Sequence, residues 1–304
     1  MAKWSLADMP SQKGRSAVVT GAGGLGYETA LALARAGGAV VVAGRDVRKG
    51  EAAVARIRRE APSSDVRFEL LDLADLRSVF AFGERMRART DSLDLLVNNA
   101  GVMTPPRRME TVDRLELQLG TNYLGHFALT GRLAPLLQKG RKPRVVTLSS
   151  VAARNGAIDF GDLNAEKGYQ PMTAYSQSKL ACLMFAFELQ RRSEAAGMGI
   201  ASIAAHPGIS RTDLLHNAPG RLSVAGVLRS ALWFLFQPPA QGALPTLFAA
   251  TAPEAKPGGY YGPDRLGETR GHPAPARIPP QALDLDAATR LWRYSKALTG
   301  VDFG

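Results

Sequence analysis

The sequence predicts an α/β fold: one doubly wound, mainly parallel sheet of seven strands with helices on both faces. Two observations carry this. Short runs of four or five residues are apolar throughout, the pattern of strands covered on both sides. Helical stretches separate them, as parallel connections require. A third observation fixes the first connection: Thr20-Gly-Ala-Gly-Gly-Leu-Gly26 joins the first apolar run to the first helix.

The strands are expected, in order, at 17–20, 39–43, 66–70, 93–97, 144–148, 200–204 and, as a short last one, 259–262. Helices are expected near 27–36, from the second strand through Arg56, around Asn122, at about 173–196 and near 287–298. The stretch 265–280 is rich in Pro, Gly and Arg and reads as irregular surface. One domain over 1–304 is expected, with a C-terminal extension at about 265–304.

Composition narrows the function classes. With 45% hydrophobic and 21% charged residues, 304 residues suffice for a substantial core. A formal charge of +11 raises the question of nucleic acid. The basic residues are scattered among acids with no recognition motif, so a solvated basic surface is expected instead. The opening MAKWSLADMPSQKG lacks the apolar stretch of a secretory signal, and no apolar run reaches membrane-spanning length. A cytoplasmic protein is expected. The single cysteine, Cys182, lies in an apolar helical pattern and reads as a buried thiol. His126 and His206 have no ligand partners at useful spacing, so no metal is expected.

Gly21, Gly23 and Gly26 fit G-x-G-x-x-G between a strand and a helix. The first permits a tight turn, the second lets the backbone approach a pyrophosphate, and the third allows close helix–strand packing. The helix N-terminus adds free amides and partial positive charge. The end of the second strand selects the nucleotide. An acid there would accept a ribose 2′-hydroxyl, but the chain has Gly44 followed by Arg45. Arginine suits a 2′-phosphate, so NADP(H) is favoured over NAD(H). Asp46 keeps NAD(H) possible, but it is well placed to cap the next helix and is read so.

Tyr175 and Lys179 stand four apart on a predicted helix, on one face and adjacent turns. A lysine ammonium beside a phenol favours the phenolate and makes proton exchange easier near neutral pH. A paired serine, Ser149-Ser150, ends the strand before them.

TGAGGLG, LLVNNAG, TNYLGHF, VVTLSS, AYSQSK and HPGISRT together resemble the short-chain dehydrogenase/reductase family over roughly 14–262. The stretch before Tyr175, with DFGDLN and EKGY, is similar to the retinol dehydrogenase and carbonyl reductase branch. The resemblance implies a Rossmann domain and a catalytic tetrad of Asn122, Ser150, Tyr175 and Lys179. Tyr175 would be the general acid, Lys179 would hold the nicotinamide ribose, and Ser150 would bind the carbonyl oxygen. Asn122 would anchor a water relaying protons to Lys179. The residue reading leaves Ser149 open beside Ser150, and leaves Asn122 open as a group that satisfies a helix kink.

For the cofactor, the resemblance implies contacts from Gly21, Gly23, Leu25, Gly26 and Arg45. Asp72 and Leu73 would hold adenine, and Asn99, Ala100 and Gly101 would line the site with Tyr175 and Lys179. Pro207, Gly208, Ile209 and Thr212 would surround the nicotinamide and its phosphates. The glycine turn is one residue shorter than the family's TGxxxGxG, so a tighter phosphate loop is expected.

A substrate lid is expected at about 209–240, its apolar surface offered by Leu214, Leu215, Leu228, Leu232, Trp233 and Phe236, with a bend at Pro219-Gly220. Core packing and membrane-surface contact are its competing readings. The expected substrate is a small-molecule ketone, aldehyde or alcohol of apolar character. The competing class is a non-catalytic NADP-binding regulator, which would need the glycine turn and Arg45 but not Ser, Tyr and Lys together.

Overall fold

The structure, a computed structural model, describes residues 3–210 and 237–303. Its centre is an eight-stranded sheet in the order β3-β2-β1-β4-β5-β6-β7-β8. The strands are β1 (Ser16–Thr20), β2 (Ala39–Gly44), β3 (Val66–Leu70), β4 (Leu95–Asn98), β5 (Arg144–Leu148), β6 (Ala201–Ala205), β7 (Tyr260–Arg265) and β8 (Arg270–Pro275). Neighbours through β7 are parallel, and β8 runs antiparallel to β7.

The expected strand count of seven is corrected to eight. β8 occupies the stretch read as irregular surface. Its sequence, RGHPAP, has two prolines and a glycine, which argue against a central strand. At a sheet edge one side of the strand has no ladder to feed, so a missing N–H costs little there. Pro273 pairs with Pro263, and Pro275 with Tyr261.

Helices cover both faces. Val18, Val41, Leu96 and Val145 point to one core layer, and their neighbours Val19, Val42, Leu95 and Val146 point to the other. Strands with apolar residues on both faces therefore have both faces buried, which is why the runs do not alternate. The second layer rests on α1 (Gly24–Arg35) and α2 (Val47–Glu60). The first rests on α3 (Leu76–Arg89), α4 (Gly125–Leu137) and the long α5 (Pro171–Ala195).

Asp46 caps α2, its carboxylate accepting from the Lys49 amide at 3.0 Å, as its position predicts. The C-terminal helix α6, within the last stretch (Leu285–Thr299), packs back on α4 and α5. Trp292 lies against Phe127 at 5.0 Å and stacks on Phe185 at 5.8 Å between centroids. Truncating such a buried aromatic costs about 3–5 kcal/mol. The expected helix around Asn122 is in part a π turn, Leu119–Leu124, that runs into α4. No helix of the described residues is long and apolar enough to cross a membrane.

Candidate active site

The C-terminal ends of the parallel strands carry the sequence-predicted site residues, as expected for an open α/β sheet. At the nucleotide end the backbone does most of the shaping. Gly21 adopts φ +94°, which a side chain would resist. A Cβ on Gly26 would sit 2.1 Å from the Gly21 carbonyl oxygen and 2.7 Å from Asn99 Nδ2. The third glycine is therefore pressed directly on the first, and the turn is tight, as its short spacing predicts. Gly23 is the extended N-cap of α1, and Gly24 begins the helix at φ +49°.

A cavity of about 830 Å³ opens above this turn. Of the predicted contacts, Gly21, Gly23, Arg45, Asp72, Leu73, Ala100 and Gly101 line it. Leu25, Gly26, Asn99, Tyr175, Lys179, Pro207, Gly208 and Ile209 do not. Gly26 and Asn99 lie beneath the turn, where Asn99 Nδ2 donates to the Thr20 carbonyl at 2.7 Å, while Leu25 packs toward Gly242. The sequence reading missed Lys49 and Arg56, which line the same cavity as Arg45. Lys49 lies three residues beyond the Asp46 cap, and that offset was the available signal. Thr121, also missed, is buried at the cavity wall, and its hydroxyl has no hydrogen-bond partner among the described residues. A glycine cradle, three exposed cations beside it and a buried threonine hydroxyl fit a dinucleotide carrying phosphate.

At the catalytic end, α5 presents Tyr175 and Lys179, both buried. Lys179 Nζ donates to the Leu148 carbonyl at 3.0 Å, anchoring the ammonium at the end of β5. Gly101 lies between Lys179 and Asn122: a Cβ there would be 3.7 Å from Nζ and 2.9 Å from Asn122 Oδ1. The two adjacent serines separate by geometry. Ser149 is buried, and its hydroxyl donates to the Lys179 carbonyl at 2.8 Å. Among the described residues, Ser150 is partly exposed and accepts only a 3.2 Å bond from the Ala152 amide, donating its own proton to none of them.

Asn122 takes the kink-holding part. Its Oδ1 accepts from Val102 N at 2.7 Å, while its Nδ2 donates to Val102 O and to Ser178 Oγ, each at 3.0 Å. Both amide protons are thus used, and one Oδ1 lone pair remains for a water. The Asn122 carbonyl accepts from Cys182 Sγ at 3.1 Å and from His126 Nδ1 at 2.9 Å. Cys182 is the buried thiol expected, and burial pushes its pKa up.

His126, which has no metal partners at useful spacing, bonds instead to Thr20 and to the Asn122 carbonyl. A carbonyl can only accept, so Nδ1 carries the proton and Nε2 accepts from Thr20 Oγ1 at 2.9 Å. The Thr20 hydroxyl accepts in turn from the amides of Asn99 and Ala100 at 2.9 and 3.0 Å. One neutral imidazole thus joins the π turn to the Asn99–Gly101 loop. Complete burial, aided by Lys179, lowers its pKa to about 4.

Beyond β6, the loop through Pro207, Gly208 and Ile209 is held on several sides. Ile209 N donates to Thr269 O at 2.8 Å, and Gln237 Nε2 donates to Pro207 O at 2.6 Å. Thr212 and the expected lid residues Leu214, Leu215, Leu228, Leu232, Trp233 and Phe236 lie outside the described residues.

The model of the short chain dehydrogenase family matches residues 15–221. The chain belongs to this family. Polyprenol dehydrogenase of Mus musculus is 43% identical over 302 residues, covering 97% of this chain and 87% of the relative. Retinol dehydrogenase 13 of Homo sapiens is 40% identical over 295 residues, covering 95% and 86%. The chain thus resembles the retinol dehydrogenase branch. A crystal structure of an uncharacterized protein from Mycobacterium paratuberculosis is 40% identical, covers the full length of both chains and superposes with a TM-score of 0.83. A short chain dehydrogenase from Burkholderia cenocepacia in complex with NADP is 26% identical, with a TM-score of 0.62 over 80% of this chain and 93% of that one. As a member of this family the chain is an NAD(P)-dependent oxidoreductase acting on CH–OH and C=O groups.

Proposed function

We propose that this dehydrogenase moves hydride between NADP(H) and an apolar alcohol or its carbonyl partner, with Asn122, Ser150, Tyr175 and Lys179 at the reacting end. The observation that carries it is the meeting of Lys179, Asn122 and Gly101 at the end of β5, one helical turn from Tyr175. When bound, the nicotinamide supplies the hydride. In reduction, the Tyr175 phenol gives its proton to the carbonyl oxygen, so the carbon gains hydride and the oxygen gains the proton. The Ser150 hydroxyl donates a hydrogen bond to that oxygen and fixes its position. Asn122 keeps the π turn against Val102, and its free Oδ1 lone pair can hold a water beside Lys179.

Preference for NADP(H) is supported by Arg45 and Lys49 at the cavity, while Asp46, the carboxylate that lines it beside them, is engaged as the cap of α2. The NADP complex of the Burkholderia cenocepacia relative is consistent with it. The apolar substrate is supported by the names of the relatives, since retinol and polyprenols are both apolar alcohols.

A carbonyl panel graded from short polar to long apolar aldehydes, followed by NADPH or NADH oxidation, tests the proposal. Turnover should be higher with NADPH and with the longer apolar members. Tyr175→Phe should retain cofactor binding and lose at least about a hundredfold in kcat, the usual scale for a lost general acid. Full activity in that variant removes Tyr175 from the mechanism. NADPH binding with no turnover of any carbonyl or alcohol would return the protein to the regulator class.

A further inference from the structure

We propose that Glu268, acting through His206, is a positioning residue that sets the backbone of the nicotinamide loop. The inference rests on the reading that Pro207, Gly208 and Ile209 meet the nicotinamide. His206 directly follows β6 and is fully buried, its backbone amide paired with Tyr261 of β7. Gly208 N donates to His206 Nδ1 at 3.2 Å. A backbone amide can only donate, so Nδ1 must be unprotonated and the ring proton sits on Nε2. That proton points to Glu268 Oε2 at 2.9 Å. Glu268 therefore selects the tautomer that the loop requires, the usual way in which a partner on one ring nitrogen defines the other.

The carboxylate is itself held. Arg154, on the turn that follows Ser150, pairs with Glu268 Oε2 at 2.6 Å and donates to the Gly267 carbonyl at 3.2 Å. The amide of Arg277 donates to Glu268 Oε1 at 2.9 Å. Glu268 and Arg154 are the charged groups that face the imidazole, and the Tyr260 ring lies against it at 5.2 Å. Burial lowers the His206 pKa against the opposing pull of Glu268, which keeps the ring in the form that accepts from Gly208.

The backbone around Glu268 is built at a cost. Leu266, Gly267 and Glu268 all have φ between +48° and +68°, a region that L side chains avoid. Such strain persists only where the surroundings over-determine it. The fit around the ring is equally close: a Cβ on Gly262 would lie 2.0 Å from His206 Nε2, and one on Gly208 would lie 2.3 Å from the Thr269 carbonyl oxygen. The turn between β7 and β8 thus reaches the nicotinamide loop through Glu268 and Thr269, and reaches the Ser150 side through Arg154.

The test compares His206→Ala, His206→Asn and Glu268→Ala in the full chain, reading the NADPH dissociation constant by fluorescence, KM and kcat for one substrate, and melting temperature. An asparagine oxygen can replace Nδ1 as acceptor for Gly208 N–H. His206→Ala and Glu268→Ala should raise the NADPH constants about tenfold, the scale of one well-placed hydrogen bond, with a smaller change in kcat. His206→Asn should recover most of that loss. Should either alanine variant fail to fold, Glu268→Leu, which fills similar space but offers no acceptor for Nε2–H, should still raise the NADPH constants. Unchanged NADPH constants in every folded variant, or asparagine no better than alanine while all melting temperatures fall together, overturns the inference. A wild-type chain that does not bind NADPH instead overturns the proposed function and this inference with it.

Discussion

The two ends of the candidate site are fitted by different means. Around Gly21 to Gly26 the shape comes from backbone: a positive φ at Gly21, and Cα atoms packed where no Cβ fits. Around Ser150, Tyr175 and Lys179 it comes from polar side chains that fix one another and the main chain, as Asn122 does with Val102 and Ser178. A backbone-fitted end accommodates a ligand of invariant shape. An end fitted by side chains can exchange its partners for different substrates while the first end stays constant. His126 sits on the seam, bonded to Thr20 on one side and to the Asn122 carbonyl on the other.

Breaking the backbone-fitted end should have the largest effect. In Gly26→Ala the new methyl meets the Gly21 carbonyl oxygen at 2.1 Å, a backbone atom that cannot swing aside. Overpacking of this kind costs about 3 kcal/mol, and the distortion falls on the phosphate turn. Chemical denaturation should show the lost stability, and titration with NADPH should show a weaker complex. An unchanged protein would mean that the turn is pliant and the contrast between the two ends is false.

The seam can be tested by pH. The His126 pKa falls from an ordinary 6.5 to about 4 on folding. A depressed histidine contributes stability that is present above the unfolded value and is lost as pH falls through the folded one. Between pH 6.5 and 4 the folded state should therefore lose up to about 3 kcal/mol from this group. His126→Asn should flatten that part of the stability curve, whatever its effect at pH 8. The same slope in both proteins would place the acid sensitivity elsewhere.

The smallest effect is expected where the nucleotide end departs from its own rule and relies on exposed side chains. Arg45→Ala should weaken NADPH by about 1.5–3 kcal/mol, the scale of a hydrogen bond to a charged group, and leave NADH nearly unchanged. Lys49 lines the same cavity and should soften the loss, so the double variant sharpens the measurement. Equal affinity of the wild type for the two cofactors would show that neither cation reads the 2′-phosphate.

Much of this was legible in the sequence where the signal is local. β3 and β5 lie at their predicted bounds, 66–70 and 144–148. The Tyr175 and Lys179 pair follows from helical spacing, and the Asp46 cap from its place before α2. The π turn at Leu119–Leu124 was not legible, because a change of one residue in hydrogen-bond spacing leaves no mark in composition. β8 was hidden by its prolines. Glu268 and Arg154 lie 114 positions apart, and Glu268 meets both Arg154 and His206 only once the sheet has formed. No periodicity carries such a pairing. The lid expectation, at about 209–240, falls mostly on residues outside those described.

The prolines of β8 have a further consequence at the level of assembly. A sheet with an open edge can recruit a strand from another chain, the route to edge-on aggregation. At one end of this sheet, Pro273 and Pro275 remove two of the donors that an incoming strand would need. At the other end, β3 carries Glu69 within a cluster of arginines, 3.8 Å from Arg67, 3.5 Å from Arg85 and paired with Arg89. A strand docking there would have to displace or bury those charges. Both margins of the sheet thus disfavour growth by strand addition.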